Sequence, residues 1–106
     1  MTTLEILKQA RALLAEDGWC QGQSIRVQHG YIKARDIVTA LNDATSGAGM
    51  MAVGGPAQRA AYELMWTATG GHGIIKFNDD PTTTLDLVLF SFDAAINELE
   101  AGPIEP

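Results

Sequence analysis

The chain has 106 residues, of which 46% are hydrophobic and 19% charged, and its formal net charge is −6. That length suits one domain with a single core, and the balance is that of a folded globular chain, not a disordered one. No apolar run nears the roughly 20 residues of a membrane helix, and seven scattered Lys and Arg residues are a poor match to a phosphate backbone.

The first residues, Met1-Thr2-Thr3-Leu4-Glu5, carry no basic stretch followed by an apolar one, so no signal peptide is expected. Cys20 is the only cysteine and makes no intrachain disulfide, which fits a reducing cytoplasm. The acidic residues are dispersed, with Glu16-Asp17 and Asp79-Asp80 the only adjacent pairs. A solvated surface explains them better than a mimic of nucleic acid.

Residues 3–17 are expected to form the first helix. Thr2 and Glu5 have capping-box spacing, and Leu4, Leu7, Ala10 and Leu14 recur at three- and four-residue steps. Gly18 stands where a left-handed C-terminal residue is needed. From Ser24 to Lys33 the pattern alternates, with Ile25, Val27 and Tyr31 around His29-Gly30, and predicts a short β-hairpin. Ala34, Ile37, Val38 and Leu41 share a helix face, predicting a second helix over 34–42.

Residues 46–55 hold four glycines and read as the softest part of the chain. Pro56 then suits a first helical position, and Ala57, Ala60, Ala61, Leu64, Met65 and Ala68 form the stripe of a third helix ending at Gly70-Gly71. Ile74 to Phe77 reads as a short extended piece, followed by a turn through Asn78-Asp79-Asp80-Pro81. Leu85, Val88, Leu89, Phe92, Ile96 and Leu99 mark the last helix, with Thr83 and Asp86 spaced like a capping box. The fold expected is mainly α: a compact bundle of about four helices with a short β-hairpin after helix 1. Residues 1–101 make the single domain, and 102–106, with two prolines, a frayed tail.

Cys20 is the obvious nucleophile. A cysteine enzyme needs a thiolate, a histidine partner and an orienting Asn or Asp, and His72 with Asn78 or Asp79 would supply them. The local context points the other way, because Cys20 follows a helix C-terminus, whose negative dipole end disfavours a thiolate. Beside Trp19 it reads better as a small buried hydrophobe. Cys20, His29 and His72 lack metal-ligand spacing, so no metal and no cofactor are expected. Phe90 falls in the middle of the polar face made by Asp86, Asp93, Asn97 and Glu100. Cover by another part of the chain is the commoner fate of such a residue. If exposed, Phe90 with Leu87 marks a contact for a partner or a second copy.

Gly18-Trp19-Cys20-Gln21-Gly22, Phe77-Asn78-Asp79-Asp80-Pro81 and the helix carrying Phe92-Asp93-Ala94-Ala95-Ile96 resemble a small family of bacterial and phage-encoded proteins, a domain of unknown function. That family's pattern is Gly-Trp-(Thr or Cys)-Gln-Gly, a middle Cys-Ala-x-Gly-Ala helix, and Trp-Asn-Asp-x-Pro before the last helix. Here Lys33, Asp36 and Ile37 stand in the middle motif's Cys, Gly and Ala places, and Phe77 replaces the tryptophan. The resemblance implies that Trp19, Gln21, Asn78, Asp79 and Pro81 belong together, with the Gln21 and Asn78 amides holding backbone groups over Trp19 as a structural latch. The function expected is a small cytoplasmic, non-enzymatic protein acting through protein contacts, of phage or mobile-element association. The alternatives are a cysteine-dependent hydrolase or transferase and, more weakly, an acidic inhibitor of a nucleic-acid-binding protein.

Overall fold

Reciprocal hydrogen bonds start the first helix: Glu5 N–H donates to Thr2 Oγ1 at 3.1 Å, and Thr2 N–H to Glu5 Oε1 at 2.8 Å. Helix α1 spans Thr3–Asp17 in a computed structural model that describes residues 2–22, 34–46 and 55–101. The hairpin expected at 24–33, the stretch 47–54 and the tail 102–106 lie outside the described residues.

Gly18 ends α1 at φ 98°, ψ 162°. This is a mirror-extended conformation rather than the left-handed turn the sequence suggested, and it is essentially restricted to glycine. The chain therefore leaves α1 extended and pairs with the next segment. Arg35 N–H donates to Gly18 O at 3.0 Å and Cys20 N–H to Arg35 O at 2.9 Å, making one parallel bridge between Trp19 and Arg35. No longer strand occurs among the described residues.

That bridge shifts the second helix. Residues 34–36 stay extended, and Asp36 Oδ1 accepts from Thr39 N–H at 2.6 Å, so α2 runs Ile37–Ser46 instead of 34–42. Its buried face is Ile37, Ala40, Leu41 and Ala44. Helix α3, Pro56–Ala68, starts at Gly55 with proline in the first turn and buries Ala61 and Met65. The expected extended piece at 74–77 is instead a fourth helix, α4, Ile74–Asp79. A short apolar run does not distinguish strand from helix by periodicity alone. Here burial of Ile74 and Asn78, one turn apart, favours the helix. The expected count of four helices becomes five among the described residues.

Helix α5, Leu85–Ala101, buries Val88, Phe92, Ala95 and Ile96. Thr84, not Thr83, holds its start, since Leu87 N–H donates to Thr84 Oγ1 at 3.3 Å while Thr83 is buried. Helix α1 sits centrally, packed on α2, α3 and α5, and α4 lies against α2. Ile6, Leu7, Leu14, Ile37, Leu41, Met65, Val88 and Phe92 join one core through these contacts. Among the described residues, no helix is long and apolar enough to cross a membrane.

Candidate functional site

Two places concentrate distinctive side chains: a polar junction under the Trp19 segment, and an apolar groove between α3 and α4. The junction centres on Asn78, the penultimate residue of α4, which is 2% exposed. Its Oδ1 accepts from Trp19 Nε1–H at 2.7 Å and from Ile37 N–H at 3.0 Å. Its Nδ2 donates to Cys20 O at 3.2 Å and to Asp79 Oδ1 at 2.9 Å. A carboxamide has two acceptor positions and two donor hydrogens, so all four are engaged.

Gln21 adds a second strap. Its Nε2 donates to Asn78 O at 3.2 Å and to Asp80 O at 2.7 Å, carbonyls at the end of α4, the second of which also accepts from Thr83 N–H at 3.0 Å. Gly22 N–H donates to Asp79 Oδ1 at 2.7 Å. Trp19, Gln21, Asn78 and Asp79 are thus brought into one network that ties the exit of α1 to the start of α2 and the end of α4. Behind it, the mostly buried Arg35 guanidinium bonds Asp17 Oδ2 at 2.7 Å and Asp43 Oδ2 at 2.8 Å. Burial opposes the charge of Arg35, but the two carboxylates outweigh it and raise its pKa above the ordinary arginine value.

The remaining nucleophile-site candidates are placed differently. Cys20 is 9% exposed and its carbonyl, not its thiol, meets Asn78. His72 is exposed in the turn before α4, whereas Asn78 lies at the far end of that helix, about 6 Å along the axis from Ile74. With its four positions filled, Asn78 has no bond left to orient an imidazole. His29 lies outside the described residues.

The groove is an open cleft of about 600 Å³. Val38, Tyr62, Trp66, Ile74 and Ile75 supply its apolar surface. Trp66 remains 48% exposed and Ile75 63% exposed. The indole rests against the glycine turn after α3: a Cβ on Gly71 would lie 3.8 Å from Trp66 Nε1, and one on Gly73 3.8 Å from Trp66 Cζ3. Both glycines have positive φ, 78° and 123°, so this wall depends on residues that tolerate that backbone. Tyr62 donates its hydroxyl to Asn42 Oδ1 at 2.6 Å. Burial, with the Asp36 carboxylate adding to it, pushes the phenol pKa up, so Tyr62 stays a neutral donor.

On α5, Phe90 is 70% exposed and Leu87 46% exposed; no described segment of the chain covers them. Sequence reasoning singled out these two and missed Trp66 and Ile75. The signal for Trp66 was present, because it follows Arg59 by seven residues and Glu63 by three, which puts an aromatic on the polar face of α3. Ile75 had no such signal once its segment was read as extended.

A family model matches residues 1–98 of the chain, nearly all of the described helices. The chain belongs to DUF6197, a family of unknown function. No curated protein and no solved structure matches it. Membership therefore brings no substrate or partner with it, and the functional reading rests on the groove and the junction.

Proposed function

We propose that this is a small cytoplasmic, non-enzymatic protein that acts through protein contacts, with the α3–α4 groove as its contact surface, in the phage or mobile-element setting that its motifs suggest. The observation that carries the reading is the pairing of Trp66 and Ile75, two large apolar side chains held open on adjoining helices. Exposed apolar surface framed by polar groups is characteristic of interaction sites, and tryptophan is among the residues that dominate interface energetics.

Two further features support it over the alternatives. Of the two residues that could orient a catalytic imidazole, Asn78 is saturated within the fold, and Asp79 Oδ1 already accepts from Gly22 N–H and Asn78 Nδ2. Four of the thirteen carboxylates that an acidic inhibitor could draw on are engaged internally: Asp17 and Asp43 with Arg35, Asp93 with Arg11, and Glu100 with Lys8.

A photo-crosslinking residue at position 75 tests the contact, with the same residue at the exposed position 16 on α1 as a control. In cells that carry the protein naturally, position 75 should give a discrete adduct that position 16 does not. Equal labelling from both positions, or none from either, would remove the groove as a contact surface. Native alkylation of Cys20 tests the enzyme alternative. The thiol should react only as fast as the protein opens, and a rapid reaction in the folded state would favour a catalytic cysteine instead.

A further inference from the structure

Helix α4 stands between two joints. Before it, Gly70, Gly71 and Gly73 hold positive φ, at 102°, 78° and 123°. After it, Asp80 returns to extended backbone at φ −64°, ψ 130°. A few positions of this kind at the ends of an element can absorb the φ and ψ changes of a hinge. Beyond the second joint the turn into α5 is held by its own bonds. Thr83 N–H donates to Asp80 O at 3.0 Å, and the Thr82 N–H and hydroxyl donate to Asp80 Oδ1.

Between the joints lie six residues, too few to persist as a helix unaided. Ile74 is buried and Phe77 half-buried against the core, whereas Ile75 faces solvent. The side-chain bonds that tie α4 to the rest of the described chain gather at its C-terminal end. Trp19 Nε1–H and Ile37 N–H donate to Asn78 Oδ1, Gln21 Nε2 to Asn78 O, and Gly22 N–H to Asp79 Oδ1. The Trp19 indole and the Ile37 and Gly22 amides have no other acceptor among the described residues. They lose protection from solvent together if α4 leaves, and keep it if the helix merely frays.

We infer that α4 is a hinged wall: it swings as one unit about Gly70–Gly73 and Asp80, and the bonds from Trp19, Ile37, Gln21 and Gly22 are its latch. Ile75 rides on α4 and Trp66 on α3, so the latch sets whether the groove is assembled. Its use in regulating a contact rests on the protein-contact reading above, whereas the opening itself does not.

Hydrogen exchange read amide by amide on the protein alone tests this. The Phe77, Asn78 and Asp79 amides, the Ile37 and Gly22 amides and the Trp19 indole N–H should share one protection factor. It should lie at least about tenfold below those of Ala10 and Phe92 in the core. Gln21→Ala removes two bonds at the end of α4 and should lower the shared value about fivefold to tenfold, with Ala10 and Phe92 unchanged. Asp79→Ala, at an exposed position, should lower the Ile37 and Trp19 values in the same selective way.

If Ile37 and the Trp19 indole keep the protection of the core while the α4 amides exchange, the helix only frays and the inference falls. If Gln21→Ala and Asp79→Ala lower Ala10 and Phe92 as much as α4, the helix opens only with the whole protein, and the inference falls equally. Either failure leaves the contact reading standing, because no partner takes part. A missing crosslink from position 75 would remove that reading and leave the hinged wall in place.

Discussion

The indole N–H of Trp19 donates to Asn78 Oδ1 at 2.7 Å across 59 positions of chain, and the same oxygen receives the first N–H of α2 from Ile37. One buried amide therefore joins three elements that meet nowhere in the sequence. Because α4 is only six residues long, it has little intrinsic tendency to persist as a helix. Its end is held by what Trp19 and Gln21 donate to it. The junction therefore fixes the position of α4, and with it the Ile74–Ile75 wall of the groove.

Asn78→Ala should destabilise the protein by about 2–4 kcal/mol, because buried donors and acceptors on Trp19, Ile37 and Cys20 lose their partner. Asn78→Asp should be at least as damaging at neutral pH. It removes both donor hydrogens and sets a second carboxylate against Asp79 Oδ1, 2.9 Å from the present Nδ2. Burial and that neighbour raise the new carboxyl's pKa, so the defect of N78D should shrink as pH falls and the group takes up a proton. Urea midpoints at several pH values measure both effects. A loss below about 0.5 kcal/mol in N78A, the size of an ordinary surface change, would remove the junction from the stability of the fold.

Arg35→Ala should cost about 2–3 kcal/mol, somewhat less than breaking a fully buried pair, since Asp17 and Asp43 are partly exposed. Arg35→Lys should recover only part of that. A lysine is a single point donor and cannot span two carboxylates as the planar guanidinium does. The difference between R35A and the natural protein should persist in high salt, because the group is largely shielded from solvent. Disappearance of the difference at 1 M salt would mark a surface interaction instead.

The acid limb of stability should carry the two caps. The backbone bond from Thr2, followed by the bond to its side chain, holds the Glu5 pKa below its ordinary 4.5. The Thr82 hydroxyl and then its backbone N–H lower Asp80 from 3.8. Each carboxylate has a lower pKa folded than unfolded, so the unfolded chain binds more protons between the two values. The contributions are complete above about pH 4.5 and are lost as pH falls through the folded values. Thr82→Ala removes the larger cause at Asp80 and should flatten the acid limb. Thr2→Ala keeps the backbone N–H that is the larger cause at Glu5 and should flatten it less. Both should leave the stability profile above about pH 6 parallel to that of the natural protein. An unchanged acid slope in Thr82→Ala would show that Asp80 carries no such linkage.

Local rules made the long elements legible. The Thr2–Glu5 box, the apolar steps through Leu14, Pro56 at the head of α3 and the Phe92 face of α5 each depend on residues within one or two turns. The aromatic out of place at Phe90 was legible for the same reason, since helical spacing alone assigns it to the polar face.

What the chain does between helices was decided by distant partners. Residues 34–36 stay extended because Arg35 pairs with Gly18 and Cys20, which displaces the start of α2 to Ile37. Ile74 to Asp79 coil into a helix because burying Ile74 and Asn78 on one side joins the core to the Trp19 junction, an advantage that periodicity in six residues does not encode. The sequence alone therefore determined a helical chain with its hydrophobic faces and one aromatic, Phe90, set on a polar face. Only tertiary packing decided that Asn78 would close a junction and that α4 would stand beside α3 to leave Trp66 and Ile75 open in a groove, because those outcomes depend on contacts between segments that carry no mark of each other.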